Sequence, residues 1–286
     1  MSKLPKFASN KKYWLYLNRL AFGSGCQCPE CGVSLQERYV RKYLWCRICR
    51  KKFRATAHQS SWLYGMKLTP KQLVVLLWCW QQKKSPDTAR LLAGVSYTTA
   101  ARWYQRFREQ VPSATVTLQG VVQMDESYFG KQRSHQRQRI VTGAIEPDTR
   151  KVMLRITDSR SQEALEGFVL DYVKPGTLVL SDKWYAYQEL PLLGYAHESH
   201  NHSVGDYGRT NQAEGIWSSM KRYLRKLYGN VPTKQLDLIC REWMARQNQP
   251  SWFASPENFL DPVPNLSQSS EQYRNKCQHD HLFARV

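Results

Sequence analysis

The run Val121-Val122-Gln123-Met124-Asp125 ends on a carboxylate after an uncharged, largely apolar stretch that reads as a buried strand. Thr177-Leu178-Val179-Leu180-Ser181-Asp182 repeats the pattern further along the chain. A third acid, Glu214, opens a basic and aromatic segment with helical spacing, Glu214-Gly215-Ile216-Trp217-Ser218-Ser219-Met220-Lys221-Arg222-Tyr223. Carboxylates at two strand ends and one helix start can converge on one spot. Clustered carboxylates repel, and a bound cation offsets that repulsion. Two Mg²⁺ or Mn²⁺ ions about 3.5–4 Å apart would clamp the attacking and leaving oxygens of a phosphodiester displacement.

Around these acids the texture predicts strands at 119–128, 139–146, 150–157, 177–181 and about 194–199. Helices are predicted at 161–173, around 184–190 and at 212–228. Glu146-Pro147-Asp148-Thr149 is turn chemistry between the second and third strands. Three strands, helix, strand, helix, strand, helix is an order that resembles an RNase H-like domain. In such a domain the first acid belongs on the first strand, the second after the fourth, and the last on the final helix. One more helix is expected at 233–247, packing Leu236, Ile239, Cys240 and Trp243.

The charge is uneven. The 286-residue chain carries a formal +19. Residues 1–112 hold 21 Lys and Arg against 4 Asp and Glu, a balance of +17, whereas 113–286 hold 21 against 19. A basic front and a near-neutral back suggest a front that binds nucleic acid and a back that does chemistry. Met1-Ser2-Lys3-Leu4-Pro5-Lys6 has no secretory character, and the apolar run Leu73 to Trp80 is too short to span a bilayer. A soluble protein of the cytoplasm, associated with the nucleoid, is expected (nuclear in a eukaryotic source), with no membrane partner.

Two knuckles, Cys28-Pro29-Glu30-Cys31 and Cys46-Arg47-Ile48-Cys49, have the spacing of a tetrahedral Cys₄ site on two hairpins, a zinc ribbon holding one structural Zn²⁺. Thiolates suit Zn²⁺, and so short a segment has too little core to fold without it. Cys26-Gln27-Cys28 has the wrong spacing, so Cys26 is left out. Arg41, Lys42, Arg47, Lys51 and Lys52, interleaved with aromatics, suit phosphate contacts and stacking. Ahead of the ribbon, residues 10–20 read as an amphipathic helix with Trp14, Leu17 and Leu20 on one face.

Behind the ribbon, Thr69-Pro70, Ser85-Pro86 and Ser96 are three helix starts, and Gly94 is a turn between the second and third helices. This is a helix-turn-helix pattern. Its third helix would enter the major groove of double-stranded DNA, with Tyr97, Thr98, Thr99, Arg102 and Arg106 as the candidate contacts.

Zinc ribbon, helix-turn-helix and acid-triad domain, in that order, resemble the bacterial insertion-sequence DDE transposases related to the Merlin superfamily. The resemblance covers roughly residues 26–247. Its marks are Met124-Asp125-Glu126-Ser127-Tyr128-Phe129-Gly130, Ser181-Asp182-Lys183-Trp184-Tyr185-Ala186-Tyr187, Asn201-His202-Ser203 and Thr210-Asn211-Gln212-Ala213-Glu214-Gly215-Ile216-Trp217-Ser218. Some members of that family carry Asn in place of the third acid; this chain has Glu214. The resemblance implies an α/β, multi-domain fold, with an RNase H-like catalytic domain preceded by a zinc ribbon and a helix-turn-helix domain. The expected boundaries are 1–25 for a basic N-terminal helix, 26–56 for the ribbon and 62–112 for the helix-turn-helix. The catalytic domain is expected at 118–230, a C-terminal helix and extension at 231–261, and a weakly ordered tail at 262–286. It also implies cleavage of terminal inverted repeats and joining of the 3′-hydroxyl to target DNA. Pairing two ends implies a homodimer or higher when DNA is bound.

Lys221 shares a helix face with Glu214 and could meet a phosphate beside the metals, or be a solvated lysine. His202 could orient a water or phosphate, and the resemblance lifts it above His197 and His200, with which a second zinc site is conceivable. Glu126 is expected to point away from Asp125 across the strand. Asp206 is an alternative third acid in a turn setting. Two other functions fit the same residues: a DNA-binding regulator with an inactive nuclease fold, and a structure-specific nuclease that cuts without joining.

Overall fold

The computed structural model describes residues 4–7, 9–22, 26–28, 30–35, 44–53, 62–63, 66–113, 116–130, 138–182, 185–200, 211–228 and 233–260. They fall into two units. Met1–Gln110 joins Ser251–Val286 in one, and Val111–Pro250 forms the other.

The first unit begins with helix α1 (Asn10–Phe22), whose Tyr13 and Leu17 are buried. Two short antiparallel hairpins follow: β1 (Cys26–Gln27) with β2 (Ser34–Leu35), and β3 (Leu44–Cys46) with β4 (Lys51–Phe53). Gly32 and Arg50, both at positive φ, turn the chain within them. Three helices come next, α2 (Pro70–Gln81), α3 (Pro86–Ala93) and α4 (Tyr97–Glu109). Their ends obey local chemistry. Thr69 and Gln72 form a reciprocal capping box, Ser85 caps α3 ahead of Pro86, and Ser96 caps α4. Gly94 closes α3 in the left-handed region at φ +64, where a side chain would be strained. Residues Leu73 to Leu77, Cys79 and Trp80 are all buried, so α2 is the core helix of its unit.

The second unit is built on a five-stranded sheet. Its strands are β5 (Val121–Phe129), β6 (Arg139–Glu146), β7 (Lys151–Thr157), β8 (Leu178–Asp182) and β9 (Ala196–His200), in the order β7-β6-β5-β8-β9. The first three form an antiparallel meander, while β8 pairs parallel with β5, and β9 with β8. This is the RNase H-like arrangement that the strand order predicts. Helix α5 (Gln162–Tyr172) crosses from β7 to β8, and α6 (Asn211–Tyr228) and α7 (Leu236–Asn248) complete the unit. The helix expected around 184–190 is instead two 3₁₀ turns, Tyr185–Tyr187 and Leu190–Leu193, because Pro191 and the left-handed Gly194 stop any longer helix.

The sheet is covered on both faces. Arg155 of β7 bonds Asp171 and the Ala164 carbonyl of α5 and lies over Phe168 and Tyr172. On the other face Leu154 N–H donates to the Met244 sulfur of α7 at 3.0 Å. Asn248 stands in for a neighbouring strand at the β7 edge, accepting from Val152 N–H and donating to Val152 O, both at 2.8 Å. A buried cluster of Tyr223, Glu242 and Arg246 ties α6 to α7.

After Pro250 the chain rejoins the first unit. Phe253 and helix α8 (Pro256–Leu260) pack on Trp80, and Gln81 Nε2 donates to the carbonyls of Trp252 and Ser255. The expected tail at 262–286 lies outside the described residues. Among the described residues no helix is long and apolar enough to cross a membrane.

Candidate active site and metal centre

Asp125 and Asp182 stand at equivalent points of neighbouring parallel strands. Gln123 pairs with Leu180 in the β5–β8 ladder, and each aspartate lies two residues further along its own strand. Period-two alternation then turns both side chains to one face. Their proximity is electrostatic as well as topological. The Asp125 carboxyl is pushed up to about 6, by burial first and then by the carboxylates of Glu126 and Asp182. The Glu126 N–H and the Trp217 indole N–H oppose that rise.

The helix carrying Glu214 is tied to the same strand. Gln123 Oε1 accepts from the backbone N–H of Gln212 at 3.0 Å and of Ala213 at 3.1 Å, satisfying the first turn of α6. One turn beyond Glu214, Trp217 Nε1 donates to Asp125 Oδ2 at 2.9 Å. Phe129 meets the Trp217 ring edge-on, and Lys221 Nζ sits 5.5 Å from the Phe129 ring centre. So Gln123, Asp125 and Phe129 all face α6, and Glu214 and Lys221 ride on that helix.

The other face of β5 carries a second polar network. Glu126 is buried and accepts from Tyr187 Oη and from Arg160, whose Nε and Nη2 lie 3.0 and 2.8 Å away. Burial raises the Glu126 carboxyl, and the Tyr187 hydroxyl and the Arg160 charge offset part of that rise. Arg160 also reaches Asp182 Oδ2 at 3.6 Å. His197 bonds Ser181 Oγ at 2.9 Å and stacks on Tyr187, and burial lowers its pKa. It is therefore engaged beside β8. The other members of the conceivable second zinc site lie outside the described residues, His202 entirely and His200 by its side chain, as does Asp206.

The donor set of Asp125, Asp182 and Glu214 is all hard oxygen, which suits Mg²⁺ or Mn²⁺. A carboxyl held near 6 by burial first, and by its acidic neighbours second, is one whose charge a divalent ion would restore. The three acids are not drawn close enough to share a single ion. Among the described residues the one such group is the cysteine cluster. Asp182 is instead within 3.6 Å of Arg160 Nη2.

The family model of the ISXO2-like transposase domain matches residues 117–248. Those residues are an ISXO2-like DDE transposase domain. The enzyme class is therefore that of the metal-dependent polynucleotidyl transferases. No curated protein matches the chain. Similar solved structures include the HTLV-2 integrase catalytic core domain in complex with magnesium, at 16% identity over 48% of this chain and 89% of that one, TM-score 0.31. A simian T-cell lymphotropic virus intasome in complex with the PP2A regulatory subunit B56 gamma gives 12% identity over 61% and 68%, TM-score 0.35. The catalytic core domain of BIV integrase gives 13% over 45% and 83%, TM-score 0.30.

Ahead of the transposase domain, Cys28, Cys31, Cys46 and Cys49 gather with all four sulfurs within 4.8 Å of one another. Cys28 Sγ lies 3.9 Å from Cys49 Sγ, and Cys31 Sγ 3.6 Å from Cys46 Sγ. A tetrahedral zinc with Zn–S bonds near 2.3 Å has S–S edges of about 3.8 Å. These separations exclude disulfides, whose sulfurs would lie about 2.05 Å apart. The Cys28 thiol sits at about 7. Burial opposes its ionisation, but the backbone N–H groups of Cys31 and Glu30, with the thiols of Cys31 and Cys46, outweigh it. The set fits Zn²⁺. Metal analysis should find one zinc per chain, and Cys46→Ser should release it and unfold the hairpins while the sheet stays folded. A bound Zn²⁺ would supply on the order of 10 kcal/mol to so small a fold. Protein purified without zinc, its hairpins intact, would contradict the assignment.

Of the candidate DNA contacts, Tyr97, Thr98 and Arg102 are exposed at the start of α4. Thr98 and Thr99 hydroxyls bond Ser96 Oγ at 3.0 and 2.8 Å. Arg106 is committed internally, donating to the Trp62 carbonyl at 2.9 Å and lying over Trp103. Arg47 and Lys51 are exposed, Lys51 in an ion pair with Glu30 at 2.8 Å. Arg41 and Lys42 lie outside the described residues, as does the Lys52 side chain.

Sequence reading did not assign parts to Gln123, Arg160, Tyr187 or Trp217. Trp217 had one signal, its spacing of three from Glu214, which places both on one helix face. Arg160, in the loop before α5, had none.

Proposed function

We propose that the chain binds the terminal inverted repeats of a mobile DNA element, cleaves at those ends and joins the freed 3′-hydroxyl to target DNA. Asp125, Asp182 and Glu214 hold two Mg²⁺ or Mn²⁺ ions. The reading is carried by the equivalent placement of Asp125 and Asp182 on adjacent parallel strands, with the Glu214 helix tied to β5 through Gln123. When bound, the ions supply Lewis-acid stabilisation of the attacking and leaving oxygens. The chain's own residues place the three carboxylates. Lys221, half-buried on the Glu214 helix, contributes a positive charge for a DNA phosphate. The resemblance gives His202 a place in the same machinery.

The front of the chain supplies end recognition. The ribbon's Arg41, Lys42, Arg47, Lys51 and Lys52 meet phosphates, and Tyr97, Thr98, Thr99 and Arg102 of α4 lie at the major groove, while Arg106 braces α4 through Trp62 and Trp103. Two ends must be paired, so the active assembly is a homodimer or higher. A strand-transfer assay with oligonucleotides from the inverted repeats flanking the gene tests the proposal. Joined products that require Mg²⁺ are expected. Cleavage without joining would favour a structure-specific nuclease, and binding alone would favour a regulator.

The raised Asp125 carboxyl sets a pH dependence. Its folded value, about 6, lies above the ordinary 3.8, so the metal-free fold holds a proton that the unfolded chain releases. Metal-free stability therefore falls as pH rises from about 4 to about 6, while a divalent ion must displace that proton at lower pH. Calorimetric Mn²⁺ titration should show affinity roughly constant above about pH 7 and falling up to about tenfold per pH unit below about 6.

A further inference from the structure

We propose that Trp217, seated on the bare face of Gly143, is the positioning residue that sets Asp125 for its divalent ion. The inference rests on the reading of Asp125 as a metal ligand. Both oxygens of that carboxylate are held. Oδ1 accepts from the Glu126 N–H at 2.8 Å, and Oδ2 accepts from Trp217 Nε1 at 2.9 Å. The first donor belongs to the strand itself. The second comes from another element, so it alone fixes the rotation of the carboxylate relative to α6, the helix that carries Glu214. Each oxygen keeps a further lone pair for a cation.

Gly143 is an independent sign of the same device. It lies on β6 directly opposite Asp125 in the β5–β6 ladder. Its φ is not in the left-handed region, so the backbone does not demand glycine there. A Cβ at 143 would stand 2.5 Å from Trp217 Cη2, 2.7 Å from Cζ2 and 2.9 Å from Leu154 Cδ2. Glycine weakens a strand interior, and it is used where another group must come close. Here that group is the indole. Its ring is 5% exposed and is braced by Phe129 at a centroid distance of 6.1 Å. A methyl at 143 would push the ring, and with it the N–H, off Asp125.

An indole that merely filled the core would show the same burial. Metal affinity separates the two roles, since a second-layer donor to a metal ligand typically changes affinity by about 10–100-fold. The test is calorimetric Mn²⁺ titration of the full-length, zinc-loaded chain, with thermal unfolding followed in parallel. Trp217→Phe keeps an apolar ring and removes the donor. Gly143→Ala keeps the donor and displaces it. Each should weaken Mn²⁺ binding about tenfold or more. In the Trp217→Phe background, Gly143→Ala should add little further loss, because the shorter phenyl ring leaves room for the methyl. In an Asp125→Asn background, Trp217→Phe should leave the remaining Mn²⁺ affinity unchanged.

Wild-type Mn²⁺ affinity in Asp125→Asn would remove the ligand assignment on which the inference stands. Loss of tight binding in Asp125→Asn, with wild-type affinity in both Trp217→Phe and Gly143→Ala, would overturn the inference alone. A lowered melting temperature with unchanged affinity would do the same, as it would mark Trp217 as core filling only. If Trp217→Phe proves too unstable to titrate, Gly143→Ala decides, and wild-type affinity in that variant overturns the proposal.

Discussion

Asp125→Asn, Asp182→Asn and Glu214→Gln are each expected to lower DNA cleavage and strand transfer by about a thousandfold or more, leaving DNA binding near the wild-type level. The magnitude follows from the role. Loss of one preorganised group that stabilises developing charge costs about 10²–10³ in rate, and a missing carboxylate also weakens the ion it should hold. Binding survives because the positive charge that meets phosphates lies in residues 1–112, which balance at +17. Gel-shift and strand-transfer assays on the same preparations separate the two effects. Near-normal joining by any one variant would remove that acid from the site.

Ending the chain at Pro250 is expected to unfold the first unit and leave the sheet intact. Phe253, Phe259 and Leu260 are buried in that unit, with Trp80 centred 5.2 Å from Phe253 and 5.0 Å from Phe259. Phe107 meets Phe259 as well, at 6.5 Å. Removing each buried phenyl costs about 3–5 kcal/mol, and the total approaches the roughly 5–15 kcal/mol by which a whole domain is stable. Gln81 would also lose both carbonyl acceptors of its Nε2. Hydrogen exchange should show α2, α3 and α4 losing protection together while β5 to β9 keep theirs. Undiminished protection in α2 would show that the three helices stand without the returning segment.

Much of the fold was legible because its signals are local. Apolar runs leading into an acid marked β5 and β8, and the Glu146–Thr149 turn marked the β6–β7 hairpin. Ser and Thr caps with adjoining prolines marked α2 and α3. The helix expected around 184–190 is two 3₁₀ turns instead, and Pro191 and Gly194 are the local signals against a longer helix. Asp125 and Asp182 were visible as the first charge after an uncharged run, and Glu214 as the acid that opens a basic helix. Their supports were not, because each support is a pairing between elements far apart in sequence. Gln123 looks like a polar residue in a strand until α6 is laid over it, and Gly143 looks like a weakness in β6 until Trp217 is seen on top. Arg160 gave no periodic or motif signal, yet it joins Glu126 to Asp182. Nor does the 251–260 segment announce which core it completes.

The central claim is that Asp125, Asp182 and Glu214 form one metal centre on the transposase domain. Anomalous diffraction from crystals of the protein grown with Mn²⁺ and cognate DNA ends tests it most directly. Manganese peaks bounded by carboxylate oxygens of these three residues at about 2.1 Å are expected. Manganese bound elsewhere, with the three carboxylates unliganded, would contradict it.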